Sequence, residues 1–183
     1  LWHTIKVLQD HPLVGNIVPV IAPNGQAMWD EIMGREVADF FKLSPPVLGG
    51  AERQFSVANG LDALNLGENS WVAIHDGARP LLSPKLLDRL FAARTEGDAL
   101  LAAIPASDTI KQVAPDGLVV GTLPRDEIWL AQTPQLFRYG LIMQAHQLAA
   151  KSGFIGTDDV SLLEWLGKPV SVVVGESANI KIT

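Results

Sequence analysis

The chain contains no cysteine. Disulfides, thiolate metal sites and a cysteine nucleophile are therefore excluded. Charged residues are only 19% of its 183 positions, and acids outnumber bases to give a formal net charge of -6. That balance argues against a nucleic-acid groove or an anionic membrane surface as the main partner, while leaving room for a local basic pocket. No apolar run approaches the ~20 residues that cross a bilayer, and no signal peptide is visible. The expectation is a cytoplasmic protein without a nucleic-acid or membrane partner. His3, His11, His75 and His146 show no zinc-like spacing. The chain has no Walker sequence, Gly-x-Ser-x-Gly or His-Glu-x-x-His, which removes P-loop hydrolases, common serine hydrolases and zinc proteases.

What is present is 48% hydrophobic, enough for one globular domain over residues 1–183 with a full core. Apolar strands alternate with amphipathic segments. Strands are expected at Ile17 to Ala22, Pro46 to Leu48, Trp71 to Ile74, Leu100 to Ile104 and Val170 to Val174, with another at Ile180 to Ile182. Helices are expected at Phe55 to Leu64, after an N-cap at Ser83 with Pro84 next, at Tyr139 to Ala150, and after an N-cap at Thr157 with Asp158 and Asp159 in the first turn. This β-α-β order predicts an α/β fold, a Rossmann-like and largely parallel sheet with helices on both faces. One segment, about residues 108–127, breaks the alternation: Thr109 to Val113, Pro115-Asp116-Gly117 and Leu118 to Leu123 read as a β-hairpin, with nothing helical between Asp108 and Gln135. Such an arm either packs on another subunit or lies as a surface flap. The first residue is Leu1 with a helix-like segment already under way, which suggests a fragment.

The most informative stretch is His75-Asp76-Gly77-Ala78-Arg79-Pro80, where an apolar strand ends. Ligands collect at that end of an open α/β sheet. Asp76 there suits a divalent cation and Arg79 a phosphate, and the alternative is an ion pair closing the turn. Gly49-Gly50-Ala51-Glu52-Arg53-Gln54-Phe55-Ser56 links a strand to a helix. Its glycines let amides approach a ligand, with Arg53 and Ser56 to add hydrogen bonds, or else it is an ordinary turn. Arg125 suits a phosphate, although a solvated arginine is the plainer reading. Thr133-Pro134-Gln135 most simply ends a strand. Lys181, between two isoleucines, needs an anion or a route to solvent.

Taken in order, Gly-Gly-x-x-Arg-x-x-Ser-Val, His-Asp-x-Ala-Arg-Pro, Asp-Thr-Ile-Lys, Arg-x-x-x-Trp-x-x-Gln-Thr-Pro-Gln, Thr-Asp-Asp and Asn-Ile-Lys-Ile-Thr resemble the 2-C-methyl-D-erythritol 4-phosphate cytidylyltransferases. The resemblance spans nearly the whole chain and implies a nucleotide-diphospho-sugar transferase fold. It also implies a Mg²⁺-dependent (or other divalent cation) reaction of CTP with methylerythritol phosphate, releasing pyrophosphate, in non-mevalonate isoprenoid synthesis. It assigns Gly50, Arg53 and Ser56 to the cytosine loop, where an acidic residue common in the family is replaced by Ala51. Asp76 falls near metal and substrate, Arg79 becomes its structural support, and Lys181 meets the reacting phosphates. Arg125 meets the sugar-alcohol phosphate, and Thr133 and Thr157 line the pocket. Lys181, Arg125 and Asp76 are the implied catalytic residues. Thr109 begins a dimerisation arm that reaches a neighbouring subunit's substrate, implying a homodimer. The family's N-terminal glycine loop with its Arg and Lys, and its C-terminal helix, have no counterpart in these residues, so weak or no activity is expected of this stretch alone. A ribitol- or other polyol-phosphate cytidylyltransferase, a non-catalytic nucleotide-binding domain, and a fusion to the cyclodiphosphate synthase of the pathway remain open. Arg125, Trp129 and Thr157-Asp158-Asp159 favour methylerythritol phosphate over ribitol phosphate.

Overall fold

A computed structural model describes residues 1–34 and 39–182; Thr183, the end of the last motif, lies outside them. Its elements are α1 (Trp2–Asp10), β1 (Val20–Ile21), α2 (Gln26–Met33), β2 (Val47–Leu48), α3 (Arg53–Asp62), β3 (Trp71–Ile74), α4 (Pro84–Ala92), β4 (Ala99–Pro105), β5 (Ile110–Val113), β6 (Val119–Leu123), β7 (Trp129–Arg138), α5 (Tyr139–Ser152), α6 (Asp159–Trp165) and β8 (Ser171–Val174).

Alternating side chains in the central strands build two cores. The main sheet has the order β3-β7-β4-β8. β3 and β4 both run antiparallel to β7, and β8 runs parallel to β4, so three strands share one direction. Neighbours on one strand serve opposite faces. Ala99 and Phe137 pack with Ile142, Val160 and Leu163 under α5 and α6, while Leu100 and Leu136 pack with Leu86, Leu87 and Leu90 under α4. Each fully buried Leu or Phe contributes ~1.5–3 kcal/mol of transfer free energy. α4 starts as expected: Ser83 Oγ accepts from the Leu86 amide at 3.1 Å, with Pro84 at the first helical position.

A second, two-stranded sheet pairs β1 with β2 in parallel. Its first strand is shorter than the expected Ile17 to Ala22. Pro19 has no N–H to donate, so Ile17 keeps only an isolated bridge to Leu43 and regular pairing resumes at Val20. A cleft of about 840 Å³ runs between β1 and β3, walled by residues such as Ile5, Ile17, Val57, Leu61 and Val72.

Three other expectations need correction. The cap of α6 is Asp158, not Thr157: its Oδ1 accepts the Ser161 amide at 2.9 Å, and Ser161 Oγ lies 3.3 Å from the Asp158 amide, closing a capping box. Ile180 to Ile182 is not a strand. It hangs on the turn after β3 through the Ile182 amide and Ala78 carbonyl at 2.8 Å. A single 3-10 turn, Arg125–Glu127, sits where nothing helical was expected, closed by the Ile128 amide on the Arg125 carbonyl.

The hairpin forms as expected, β5 against β6, with Gly117 at φ 87° in its turn. Among the described residues it pairs with no other strand, and Leu118, Val119 and Val120 are exposed. A lone two-stranded hairpin is marginal in water.

Candidate functional site

The loop between β2 and α3 is shaped by close backbone approach. A Cβ at Gly49 would stand 2.6 Å from Ser56 Oγ, and one at Gly50 would stand 2.5 Å from the Phe55 Cβ. The space goes to hydrogen bonds: Ser56 Oγ accepts the Gly50 amide at 3.1 Å and donates to the Glu52 carbonyl, also at 3.1 Å. This fixes the first turn of α3, where Arg53 projects.

Arg53 meets the carboxylate that follows β3. Its Nε donates to Asp76 Oδ1 at 2.9 Å, and its Nη1 donates to Asp159 Oδ2 at 2.8 Å. Lys181 Nζ stands 3.0 Å from Asp76 Oδ2. Asp76 is therefore clamped between two cations, not paired with Arg79 as the turn's spacing allowed. Burial works to raise the Asp76 pKa, but the Arg53 charge and the hydrogen bonds from Lys181 and Arg53 outweigh it, and the carboxyl stays below its ordinary value. Burial likewise opposes the Arg53 charge, yet Asp159 and Asp76 push its pKa above the usual arginine value.

Arg79 has a different task. Its Nη1 donates to the Asn179 carbonyl at 2.7 Å and its Nη2 to the Ala131 carbonyl at 3.3 Å. It tethers the segment carrying Lys181 to β7. Gln132 adds to that tether, donating to the Glu176 carbonyl at 2.8 Å and accepting the Glu176 amide at 3.1 Å. A Cβ at Gly175 would run into this Gln132 side chain.

Thr133-Pro134-Gln135 lies inside β7, not at a strand end. The β4–β7 register there jumps from Leu101↔Gln135 to Ala103↔Ala131, so β7 carries extra residues between them. Irregularities of this kind re-aim side chains. Thr133 Oγ1 accepts the Asp76 amide at 3.0 Å and lies 3.0 Å from His75 Nδ1. His75 Nε2 lies 3.1 Å from the Arg79 carbonyl, which can only accept. Nε2 thus carries the proton, and Thr133 donates to Nδ1. This neutral form agrees with a His75 pKa pushed down, chiefly by burial. Sequence reasoning left His75 without a role. It orders the turn that presents Asp76.

Arg53, Ser56, Asp76 and Lys181 all line the cleft. Thr157 is exposed beside the start of α6. Thr109 and Arg125 are exposed at the base of the arm, where Arg125 Nη1 donates to the Ser107 carbonyl at 3.2 Å. Neither lines the cleft of its own chain. Sequence reasoning also gave no site role to Asp159, Gln132 or Asn179. All three stand inside motifs that carry the family resemblance, but nothing local gave Asp159 a task beyond the first turn of its helix and the choice of acceptor, or Gln132 and Asn179 any task.

A metal would find one carboxylate here. Among the described residues no group of three or more His, Asp or Glu side chains is arranged to hold an ion. Mg²⁺ in nucleotide sites takes one or two carboxylates plus substrate phosphates, and Asp76 fits that mode. No helix among the described residues is long and apolar enough to cross a membrane.

Comparison with known proteins places this geometry in a family. A family model described as IspD: 2-C-methyl-D-erythritol 4-phosphate cytidylyltransferase matches residues 1–183. A relative from Geotalea uraniireducens bearing that enzyme's name is 49% identical over 184 residues, covering 100% of this chain and 78% of the relative. The crystal structure of 4-diphosphocytidyl-2C-methyl-D-erythritol synthase from Anaerococcus prevotii superposes with a TM-score of 0.87 at 32% identity, covering 99% of this chain and 78% of that one. The bifunctional IspDF from Campylobacter jejuni gives a TM-score of 0.76 at 25% identity, covering 100% of this chain and 43% of that one. With residues 1–183 matched by that family model and a relative 49% identical across the whole chain, the chain belongs to the 2-C-methyl-D-erythritol 4-phosphate cytidylyltransferase family.

Proposed function

We propose that the chain transfers the cytidylyl group of CTP to 2-C-methyl-D-erythritol 4-phosphate. The acceptor's phosphate oxygen attacks the α-phosphorus, the bond to the β-phosphate oxygen breaks, and pyrophosphate leaves with that electron pair. The product is 4-diphosphocytidyl-2-C-methyl-D-erythritol. The observation that carries this reading is the Arg53–Asp76–Lys181 cluster in the cleft of a chain matched from end to end by the family.

Such a transfer needs positioning and charge neutralisation more than a covalent nucleophile. Lys181 and Arg53 supply positive charge for the phosphates, and Asp76 holds both in place. Asp76 would be the protein ligand of Mg²⁺, whose bound form neutralises further phosphate charge. The Gly50–Ser56 loop and α3 start take the cytosine end. Ser56 keeps the Gly50 amide bonded, so the loop offers backbone groups in a fixed shape. Thr133 orders Asp76 from beneath, and Thr157, exposed just before α6, is left to meet the acceptor from outside the cleft lining.

Arg125 and Thr109 act across a homodimer, each arm completing a second copy's pocket. Supporting this are their place outside their own cleft and the uncovered Leu118, Val119 and Val120. A cytoplasmic location accords with the substrates.

The test is a substrate panel on family-length protein carrying this sequence, with CTP, Mg²⁺ and either methylerythritol phosphate or ribitol phosphate. Turnover of the first supports the reading. Turnover of ribitol phosphate alone moves the chain to the polyol-phosphate branch, and nucleotide binding without turnover makes it a binding domain.

A further inference from the structure

Arg53 is gripped from two sides, and only one side belongs to the cleft. Behind it, Asp159 opens α6 at 1% exposure, with Oδ2 taking Arg53 Nη1 at 2.8 Å. Its other oxygen, Oδ1, lies 3.2 Å from Nε2 of His146 on α5, itself 5% exposed. Each oxygen of this carboxylate has its own partner, so it is fixed in rotation as well as position. The order in space is His146, Asp159, Arg53, Asp76, Lys181, running from the α5–α6 interface to the cleft.

Desolvating a carboxylate here is costly, and apolar packing alone would close this interface more cheaply. Val160, Leu162 and Leu163 already do that packing. What the carboxylate adds is direction. With Nη1 held by Asp159, the guanidinium plane can present Nε to Asp76 in only one way. Asp76, so held, leaves its second oxygen for Lys181.

We propose that Asp159, steered by His146, is a positioning residue for the transfer reaction. It sets the Arg53 fork and, through it, the Asp76 carboxylate and the Lys181 ammonium. This rests on the assignment of that cluster to cytidylyl transfer. Neither residue touches substrate. Their effect falls on kcat, because the geometry they fix matters most when charge moves onto the leaving group.

The experiment uses family-length protein and three variants: His146→Leu, His146→Gln and Asp159→Asn. Leucine fills the space but donates nothing, whereas glutamine restores a donor. Kinetics with CTP and methylerythritol phosphate are read beside the Arg53 Nε–H signal in ¹H–¹⁵N NMR, assigned with Arg53→Lys. Partners that orient metal ligands cost about 10- to 100-fold when removed, and a fall of that order is expected here. The expected result is such a fall in kcat for H146L and D159N, with KM for CTP within about threefold. The Arg53 signal should be shifted or broadened in both, and both kcat and signal should largely return in H146Q. Folded variants with unchanged kcat and an unmoved Arg53 signal would overturn the proposal. So would equal losses in H146L and H146Q that track thermal stability alone. If H146L does not fold, near-isosteric D159N decides by the same two readings. If the parent itself does not turn over CTP, the proposed function fails, while the Arg53 signal still decides the positioning claim.

Discussion

Replacing Asp76 by Asn removes one negative charge from between two cations and changes almost nothing in shape. Arg53 Nε and Lys181 Nζ, at 2.9 and 3.0 Å from its two oxygens, would then face each other across a neutral amide. At an effective dielectric constant near 20, a unit pair at 4 Å is worth ~4 kcal/mol. The side chains of Arg53 and Lys181 are 33% and 43% exposed, so water screens much of that. A net loss of about 1–3 kcal/mol remains, within the range of hydrogen bonds to charged groups. For a chain of this size that lowers the thermal midpoint by ~2–12 °C. The effect must depend on pH in one direction. The folded pKa of Asp76 is depressed, so its contribution is complete above the unfolded carboxylate value of about 3.9 and is lost as pH falls through the lower folded value. Denaturant titrations of parent and Asp76→Asn should therefore differ at pH 7 and converge in acid. The same variant should lose kcat by an order of magnitude or more while still binding CTP, since the two freed cations attract phosphate. A variant as stable as the parent at pH 7, with unaltered kcat, would refute the clamp.

Three other outcomes follow from neighbouring contacts. Arg79→Lys cannot reach both the Asn179 and Ala131 carbonyls as a fork does, so thermal melts should show a loss of about 1–3 kcal/mol and faster amide exchange near Lys181. His75 is buried neutral with its folded pKa lowered, so the unfolded chain takes up its proton first; stability should be full above about pH 6.5 and fall as pH drops below it, and His75→Gln should flatten that slope in denaturant titrations. Val119→Lys with Val120→Lys should leave the fold intact by circular dichroism but turn a dimer into a monomer in sedimentation velocity, and a parent already monomeric would contradict the arm's proposed role.

Periodicity carried much of this architecture. The caps and spacing that announce α4, the hairpin's turn and the run at Trp71–Ile74 are local signals, and the structure keeps them. Where the reading slipped, the deciding contact was distant. Thr133-Pro134-Gln135 looks like a terminus because proline ends most strands, yet β4 pairs with β7 on both sides of that irregularity. Ile180 to Ile182 alternates like a strand, but only the Ala78 carbonyl receives it. Asp158 displaced Thr157 as cap because Ser161 completes a reciprocal box. In the site, Asp76 was legible from the turn it occupies. Arg53 and Lys181 were legible as members of the same pocket, but not their ion pairs with Asp76, because Arg53 is 23 residues away, and Asp159, 106 residues from Arg53, was not legible as its second anchor. Spacing suggested Arg79 as the ion-pair partner, and tertiary structure gave the role to Arg53 and Lys181.

The most direct test of the central claim is ³¹P NMR of family-length protein incubated with CTP, Mg²⁺ and 2-C-methyl-D-erythritol 4-phosphate, beside a Lys181→Ala control. The account predicts loss of the triphosphate resonances, growth of a pyrophosphate singlet and a new pair of diphosphate-diester doublets, all strongly slowed in the control. Folded protein that leaves CTP and the acceptor unchanged, or a Lys181→Ala variant that keeps the parent rate, would contradict it.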